Sequence, residues 1–237
     1  LVGRAEDMAA VAPADDSGPD IGPLSCDPIV RGHITLWQPR VGYRFSIDPI
    51  LLADFVGAPP FGKLVDIGAG VGVVGLLLGR SDPASHVTLV ELQPRLAQLC
   101  RRNARENGVA DRCTVVEGDV RGAAMKTHLP GARFDLVTSC PPYYPLGQGG
   151  VNPDGEEAIA RHEIHLPLSD LVDAARRLIG FRGRFAVVYP TPRLPELMAA
   201  LLAEHLTPTR LRVVHPYEGE PGQRVLVEAR KGARSSL

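Results

Sequence analysis

The rhythm of apolar and polar positions changes at residue 32. Before it, residues 1–28 mix Ala, Pro, Gly and Asp without any period. Such a composition buries too little to offset the entropy of ordering, so this stretch is expected to be a disordered acidic tail. From Gly32 two short runs, Ile34-Thr35-Leu36-Trp37 and Tyr43-Arg44-Phe45, flank Pro39-Arg40-Val41-Gly42 and predict a hairpin over 32–46. Asp48-Pro49 then opens a helix to residue 56, with Asp48 as N-cap and Pro49 in the first turn. Short apolar runs and helical periods alternate from there. Strands are expected at 64–67, 87–91, 113–117 and 134–139, and helices at 72–79 and 95–107, with a short helix after 117. In the helix 95–107, Leu96, Leu99, Cys100 and Asn103 share one face while Arg101, Arg102, Arg105 and Glu106 point out, and Gly108 ends it. A helix at 168–179, a strand at 184–189 and a helix at 194–205 follow, then strands at 210–215 and 224–229 around a Gly/Pro/Glu turn. The alternation predicts an α/β fold with a doubly wound, mostly parallel sheet and a C-terminal antiparallel hairpin. Residues 29–237 are expected to form a single domain.

Composition narrows this picture only slightly. The 237 residues, 44% hydrophobic and 22% charged, suit one α/β domain with a sizeable core. No apolar run approaches the roughly 18 residues of a membrane span, and the N-terminus lacks a basic start followed by an apolar block, so a cytoplasmic protein with no membrane partner is expected. Cys26, Cys100, Cys113 and Cys140 are far apart with no C-x-x-C spacing, which argues for reduced thiols rather than a zinc site or a disulfide framework. Residues 1–30 hold six acids against Arg4, and removing that −5 from the net charge of −1 leaves +4 for the remainder. That balance is compatible with transient contact to RNA.

The candidate chemistry lies at strand ends, where open α/β sheets bind ligands. Asp66 closes the first strand of the alternating series, Glu91 the second, Asp119 follows the third by one turn, and Cys140 closes the fourth. The turn Gly68-Ala69-Gly70 lets the backbone pass close to a ligand. Gly70-x-Gly72-x-x-Gly75, with Glu91 downstream, also fits the fingerprint of a dinucleotide-binding dehydrogenase. Three features favour S-adenosylmethionine instead: Asp66 directly before the turn, a second acid at Gly118-Asp119, and the loop Ser139-Cys140-Pro141-Pro142-Tyr143-Tyr144. On that reading Asp66 sits near the cationic methionine end, Glu91 accepts from the ribose hydroxyls, and Asp119 accepts from the adenine amine. A Pro-Pro-Tyr loop on a strand end points to methyl transfer onto a planar nitrogen, with Tyr143 as a stacking plate for an extruded base and Tyr144 beside it.

The segments Gly42-Tyr43-Arg44-Phe45-Ser46-Ile47-Asp48-Pro49-Ile50-Leu51-Leu52, Asp66-Ile67-Gly68-Ala69-Gly70, Pro141-Pro142-Tyr143-Tyr144, Ala160-Arg161-His162-Glu163 and Arg224-Val225-Leu226-Val227-Glu228-Ala229 carry a wider likeness. From about residue 32 to 232 the chain resembles the bacterial tRNA adenine-N6 methyltransferases that modify the adenine beside the anticodon of a valine tRNA. The resemblance implies a Rossmann-like class I methyltransferase fold, S-adenosylmethionine as cofactor and tRNA as partner. It also implies that a polar residue and a proline carbonyl draw on the hydrogens of the adenine amine. This chain departs from the pattern at one position, because Cys140 stands where such loops carry Asn, Asp or Ser, and a sulfur is a weak acceptor. Ser139 is not expected to substitute, since adjacent strand residues face opposite sides.

Arg44 is expected to reach the cofactor carboxylate, and Arg161 to meet phosphate from the polar segment 145–166. Arg182, Arg184, Arg212 and Arg224 are expected to form an RNA-facing rim. His162 and His165 lack a third nearby ligand, so no metal is expected. Three readings remain beside adenine methylation: another amine or amide acceptor, such as a protein glutamine or a small molecule; an RNA-associated binder with weak or no turnover; and, third, a dehydrogenase that binds NAD.

Overall fold

The computed structural model describes residues 21–122, 129, 133–141 and 166–233. A seven-stranded sheet runs in the order β5-β4-β3-β6-β7-β9-β8. Its members are β3 (Lys63–Ile67), β4 (His86–Glu91), β5 (Cys113–Glu117), β6 (Phe134–Ser139), β7 (Ile179–Pro190), β8 (Leu206–Val214) and β9 (Arg224–Lys231). The first five strands pair in parallel, whereas β9 is antiparallel to both β7 and β8. The helices are α1 (Asp48–Val56), α2 (Val73–Ser81), α3 (Pro94–Glu106), α4 (Leu168–Leu178) and α5 (Leu194–Ala203). Because β3 to β4 and β6 to β7 travel in opposite directions across the sheet, the right-handed crossover rule assigns α2 and α4 to opposite faces. Strand order therefore reverses between β3 and β6, with Asp66 opposite Thr138 and Ile67 opposite Ser139 in register. That reversal opens the crevice in which the candidate residues meet.

Central strands read as unbroken apolar runs because both faces are covered. Leu64, Val65 and Ile67, Leu136 and Val137, Phe185 to Val188 and Val225 to Val227 are all buried. The expected elements of this sheet are observed with their boundaries moved by a few residues, the largest change being at β7, which begins at Ile179 rather than 184. The short helix expected after 117 falls largely outside the described residues.

The N-terminal hairpin differs from expectation. It pairs β1 (Leu24–Ile29) with β2 (Ile34–Pro39), so residues 24–28 form a strand rather than tail, and Tyr43-Arg44-Phe45 is not strand. The turn is built from Val30, Arg31 and Gly32, all at positive φ. Val and Arg are not the residues that announce such a turn, whereas Pro39 to Gly42 carries the stronger turn composition without forming the hairpin connection. Asp48 is a second departure: Ile47 is the N-cap without a side-chain bond, and the Asp48 carboxylate accepts from Arg224 Nε at 2.9 Å.

Hairpin and helix α3 are joined by two asparagines. Asn103 accepts the Trp37 N–H at 2.8 Å and donates to the Trp37 carbonyl at 2.9 Å. Asn107 treats Thr35 in the same way, at 2.8 and 2.7 Å. The match is geometric: residues two apart on a strand and four apart on a helix recur at nearly the same spacing, roughly 6–7 Å. Asn103 also donates to the Val71 carbonyl at 2.9 Å, and Cys100 Sγ donates to the Gly70 carbonyl at 3.1 Å. The Arg102 guanidinium covers Trp37 at 3.7 Å from the ring centroid. The inner face of α3 thus holds the hairpin and the glycine turn together.

Candidate active site

At the carboxyl ends of β3, β4 and β6 lies a cleft enclosing about 680 Å³ of space, part of it open to solvent. Gly68, Gly70, Glu91, Asp119 and Cys140 all line it, together with Tyr43. Ile67, Val90, Leu92, Leu96, Val120 and Leu166 give it apolar walls suited to a flat ring. At Gly68 (φ +69°) and Gly118 (φ +148°) a Cβ would meet nothing within 4 Å, so any side chain there would project into open space beside the cleft. Together with two carboxylates on the apolar walls, this lining fits the adenosyl part of S-adenosylmethionine.

Glu91 cross-links the floor: one carboxylate oxygen accepts the Gly70 N–H at 2.8 Å and the other the Gln93 N–H at 2.9 Å. It is 5% exposed, and burial raises its pKa to about 7 against the pull of those backbone N–H groups. Asp119 is held in a fork by Arg121, whose Nε lies 3.0 and 3.1 Å from the two carboxylate oxygens and whose terminal nitrogen lies 2.6 Å from one of them. The Arg121 backbone N–H closes on the same carboxylate at 2.8 Å. Hydrogen bonding to Asp119 raises the Arg121 pKa further above its ordinary value.

Three candidates stand elsewhere than expected. Asp66 does not line the cleft; it is 2% exposed and accepts from the Thr138 hydroxyl at 2.8 Å across the β3–β6 pairing. Burial raises its pKa to about 7, although the Thr138 and Gly75 hydrogen bonds oppose the rise. Ala69 is buried behind the turn and does not line the cleft either. Arg44 donates to Ser25 Oγ, the Pro39 carbonyl and Asp27, at 2.9, 3.0 and 3.2 Å, so its guanidinium serves the hairpin. The neighbouring Tyr43 enters the cleft in its place.

Tyr43 was not among the expected site residues. A Cβ on Gly70 would fall 2.5 Å from its hydroxyl, so Gly70 has to be glycine for the ring to lie where it does. Burial, then the nearby Cys140, Glu91 and Asp66, push the phenol pKa well above its usual value. The segment Gly42-Tyr43-Arg44-Phe45 points to this part of the chain, but only the backbone path decides which of two adjacent side chains turns inward.

Cys140 is half-buried on the cleft wall and Pro141 is buried beside it. The Ser139 hydroxyl donates to the Ile67 carbonyl at 2.8 Å, which directs it into the sheet as expected. Pro142, Tyr143, Tyr144 and Arg161 lie outside the described residues. Of the expected arginine rim, Arg184 is paired with the buried Glu228 at 3.0 Å, Arg224 with Asp48 and Arg212 with Asp54 at 2.7 Å, Asp48 and Asp54 both belonging to α1, while Arg182 is exposed. Among the described residues no cluster of His, Cys, Asp or Glu fits a metal ion, and no helix is long and apolar enough to cross a membrane.

With this geometry in view, known proteins can be compared. The methyltransferase small domain matches residues 47–152. A tRNA1(Val) (adenine(37)-N6)-methyltransferase of Porphyromonas gingivalis is 31% identical over 197 residues, covering 81% of this chain and 76% of that protein. The protein of the same name from Aeromonas hydrophila is 30% identical over 194 residues, covering 81% and 79%. Among solved structures, a predicted O-methyltransferase of Agrobacterium tumefaciens superposes with a TM-score of 0.62 at 24% identity, covering 80% of this chain and 83% of that one. TYW2 of M. jannaschii in complex with AdoMet gives 0.58 at 13% identity, covering 87% and 84%. At such identities these two structures speak for the Rossmann-like methyltransferase fold alone.

Proposed function

The chain belongs to the family of the tRNA1(Val) (adenine(37)-N6)-methyltransferases, and from that premise we propose that it methylates the exocyclic nitrogen of an adenine in tRNA, using S-adenosylmethionine. The observation that carries this reading is the meeting of two strand ends at the point of reversal: the glycine turn after β3 and Cys140-Pro141 after β6 flank one cleft that also holds Glu91 and Asp119. When bound, the donor supplies an electrophilic methyl group on a sulfonium.

Every other part of the reaction falls to this chain's own residues. Glu91 receives the ribose hydroxyls, Asp119 the adenine amine of the donor, and the apolar walls its ring. Asp66 acts from behind the wall, tying β3 to β6 through the Thr138 hydroxyl and to the first turn of α2 through the Gly75 backbone N–H. At the acceptor end the amine lone pair is delocalised into the ring, so groups that accept its hydrogens must stabilise the charge that develops on nitrogen. The Pro141 carbonyl and the Cys140 sulfur stand there, and the sulfur is the weak member of the pair. Pro142, Tyr143 and Tyr144 complete the acceptor pocket, and Arg161 meets RNA phosphate. RNA is recognised through its backbone and an unstacked base.

The test is mass spectrometry of nucleosides from tRNA of cells with and without the protein, beside a tritiated-donor assay on total tRNA and on total protein. N6-methyladenosine that disappears with the protein is the expected result. Label entering protein and not tRNA would reassign the acceptor.

A further inference from the structure

Arg121 is absent from the roles assigned so far, yet it holds Asp119, which lines the cleft. It grips both oxygens of Asp119 through Nε and one terminal nitrogen, and its remaining terminal nitrogen reaches Asp170, in the first turn of α4, at 3.3 Å. One helical turn on, Arg177 pairs with Asp173 at 2.9 Å, and these four side chains line a second, shallow depression outside the cleft. Asp119 therefore stands between two surfaces, one lining the cleft and one bound to a charged wall anchored on α4.

We propose that Arg121 is a positioning residue for the donor's purine: by clamping Asp119 it fixes the direction in which that carboxylate accepts, and so sets the preference for a 6-amino over a 6-oxo purine. The inference rests on the proposed role of Asp119. An arginine fork holds a carboxylate in one plane through two roughly parallel bonds, which a single ammonium does not reproduce. A carboxylate so oriented accepts from an amine and opposes a carbonyl oxygen, which offers it only a second lone pair. Without the fork only the Arg121 backbone N–H still holds one carboxylate oxygen, the plane of the carboxylate turns about that single bond, and the two purines become harder to tell apart. The contact to Asp170 ties that orientation to α4, so the same clamp is fastened at both ends.

Calorimetry with S-adenosylhomocysteine and with its 6-oxo counterpart, S-inosylhomocysteine, tests this through the ratio of the two dissociation constants. The native chain is expected to favour the amino form by about tenfold or more, the range of one hydrogen bond to a charged group. Arg121→Ala should bring the ratio close to one, and Arg121→Lys should leave it in between. Equal weakening of both ligands with the ratio intact would mean that Arg121 only supports the loop, and would overturn the proposal. Asp119→Asn separates the two levels. If it leaves the ratio unchanged, the assignment of Asp119 to the purine is wrong and the clamp falls with it; if it collapses the ratio while Arg121→Ala does not, only the clamp is refuted. Should Arg121→Ala fail to fold, the ratio measured for Arg121→Lys decides: a native value refutes the clamp.

Discussion

Single side chains decide how well this cleft works. In the proposed reaction, a sulfur at position 140 in place of an amide oxygen removes one strong acceptor from the transition state. Losing one preorganised hydrogen bond of that kind costs about a hundredfold to a thousandfold in rate. Cys140→Asn is therefore expected to raise kcat on a tRNA adenine with little change in donor affinity; single-turnover kinetics would show it, and an unchanged or lower rate would refute this account of the position. Glu91 gives a second expectation. In the proposed function its ionised form accepts from ribose hydroxyls, and burial raises its pKa to about 7. Donor affinity should therefore rise as pH passes upward through that value, by about tenfold between pH 6 and 8 for one linked proton. Glu91→Gln should flatten the profile as well as weaken binding, and a native profile independent of pH would exclude Glu91 as the linked group.

At the scale of elements, two polar clusters fasten helices to strands. Asn103 is wholly buried and serves three backbone groups at once, on Trp37 and Val71. Asn103→Ala leaves those groups without this partner, at about 1–3 kcal/mol for each that stays buried and unsatisfied. Urea unfolding should show the loss, and donor affinity should fall with it because Val71 belongs to the glycine turn. Glu228 is the other cluster: 4% exposed, it is gripped by Arg184, Arg210 and Arg230, two of which also cap α1 through the Val56 and Phe55 carbonyls. Removing one member of a buried ionic group typically costs about 3–5 kcal/mol, and Glu228→Ala is expected to fall in that range by the same measurement. An effect below about 1 kcal/mol would mean that solvent already screens the group. The arginine-led last strand is legible in sequence, but its partners are not, since Glu228 meets Arg184 only through strand register.

Across the whole molecule, the alternation of strand and helix is enough to predict a doubly wound, mostly parallel sheet and the four strands at whose ends the candidates stand, because each rests on local period; which strands flank the reversal is set by pairing remote in sequence. What it missed depends on contacts remote in sequence. Asp66 looks like a ligand-facing acid until register puts it opposite Thr138, and Tyr43 and Arg44 exchange places because the chain leaves β2 without forming the strand their alternation suggests. Two buried carboxylates with pKa values raised to about 7 also set the pH response of folding. Their ordinary values are 3.8 and 4.5, so between about pH 4 and 7 the folded chain retains protons that the unfolded chain has released. Stability of the ligand-free protein is therefore expected to fall as pH rises through that window and to lose no more from these groups above it. Thermal unfolding across pH 4 to 8 would show the slope, and Asp66→Asn should remove part of it. The asparagine pair on α3 has a consequence for association as well. To β2 it presents the alternating acceptor and donor that a third strand would offer, so the ribbon's inner margin is already occupied. Another chain has no vacant ladder on that flank to zip onto, and the helix protects against edge-to-edge aggregation without adding a strand.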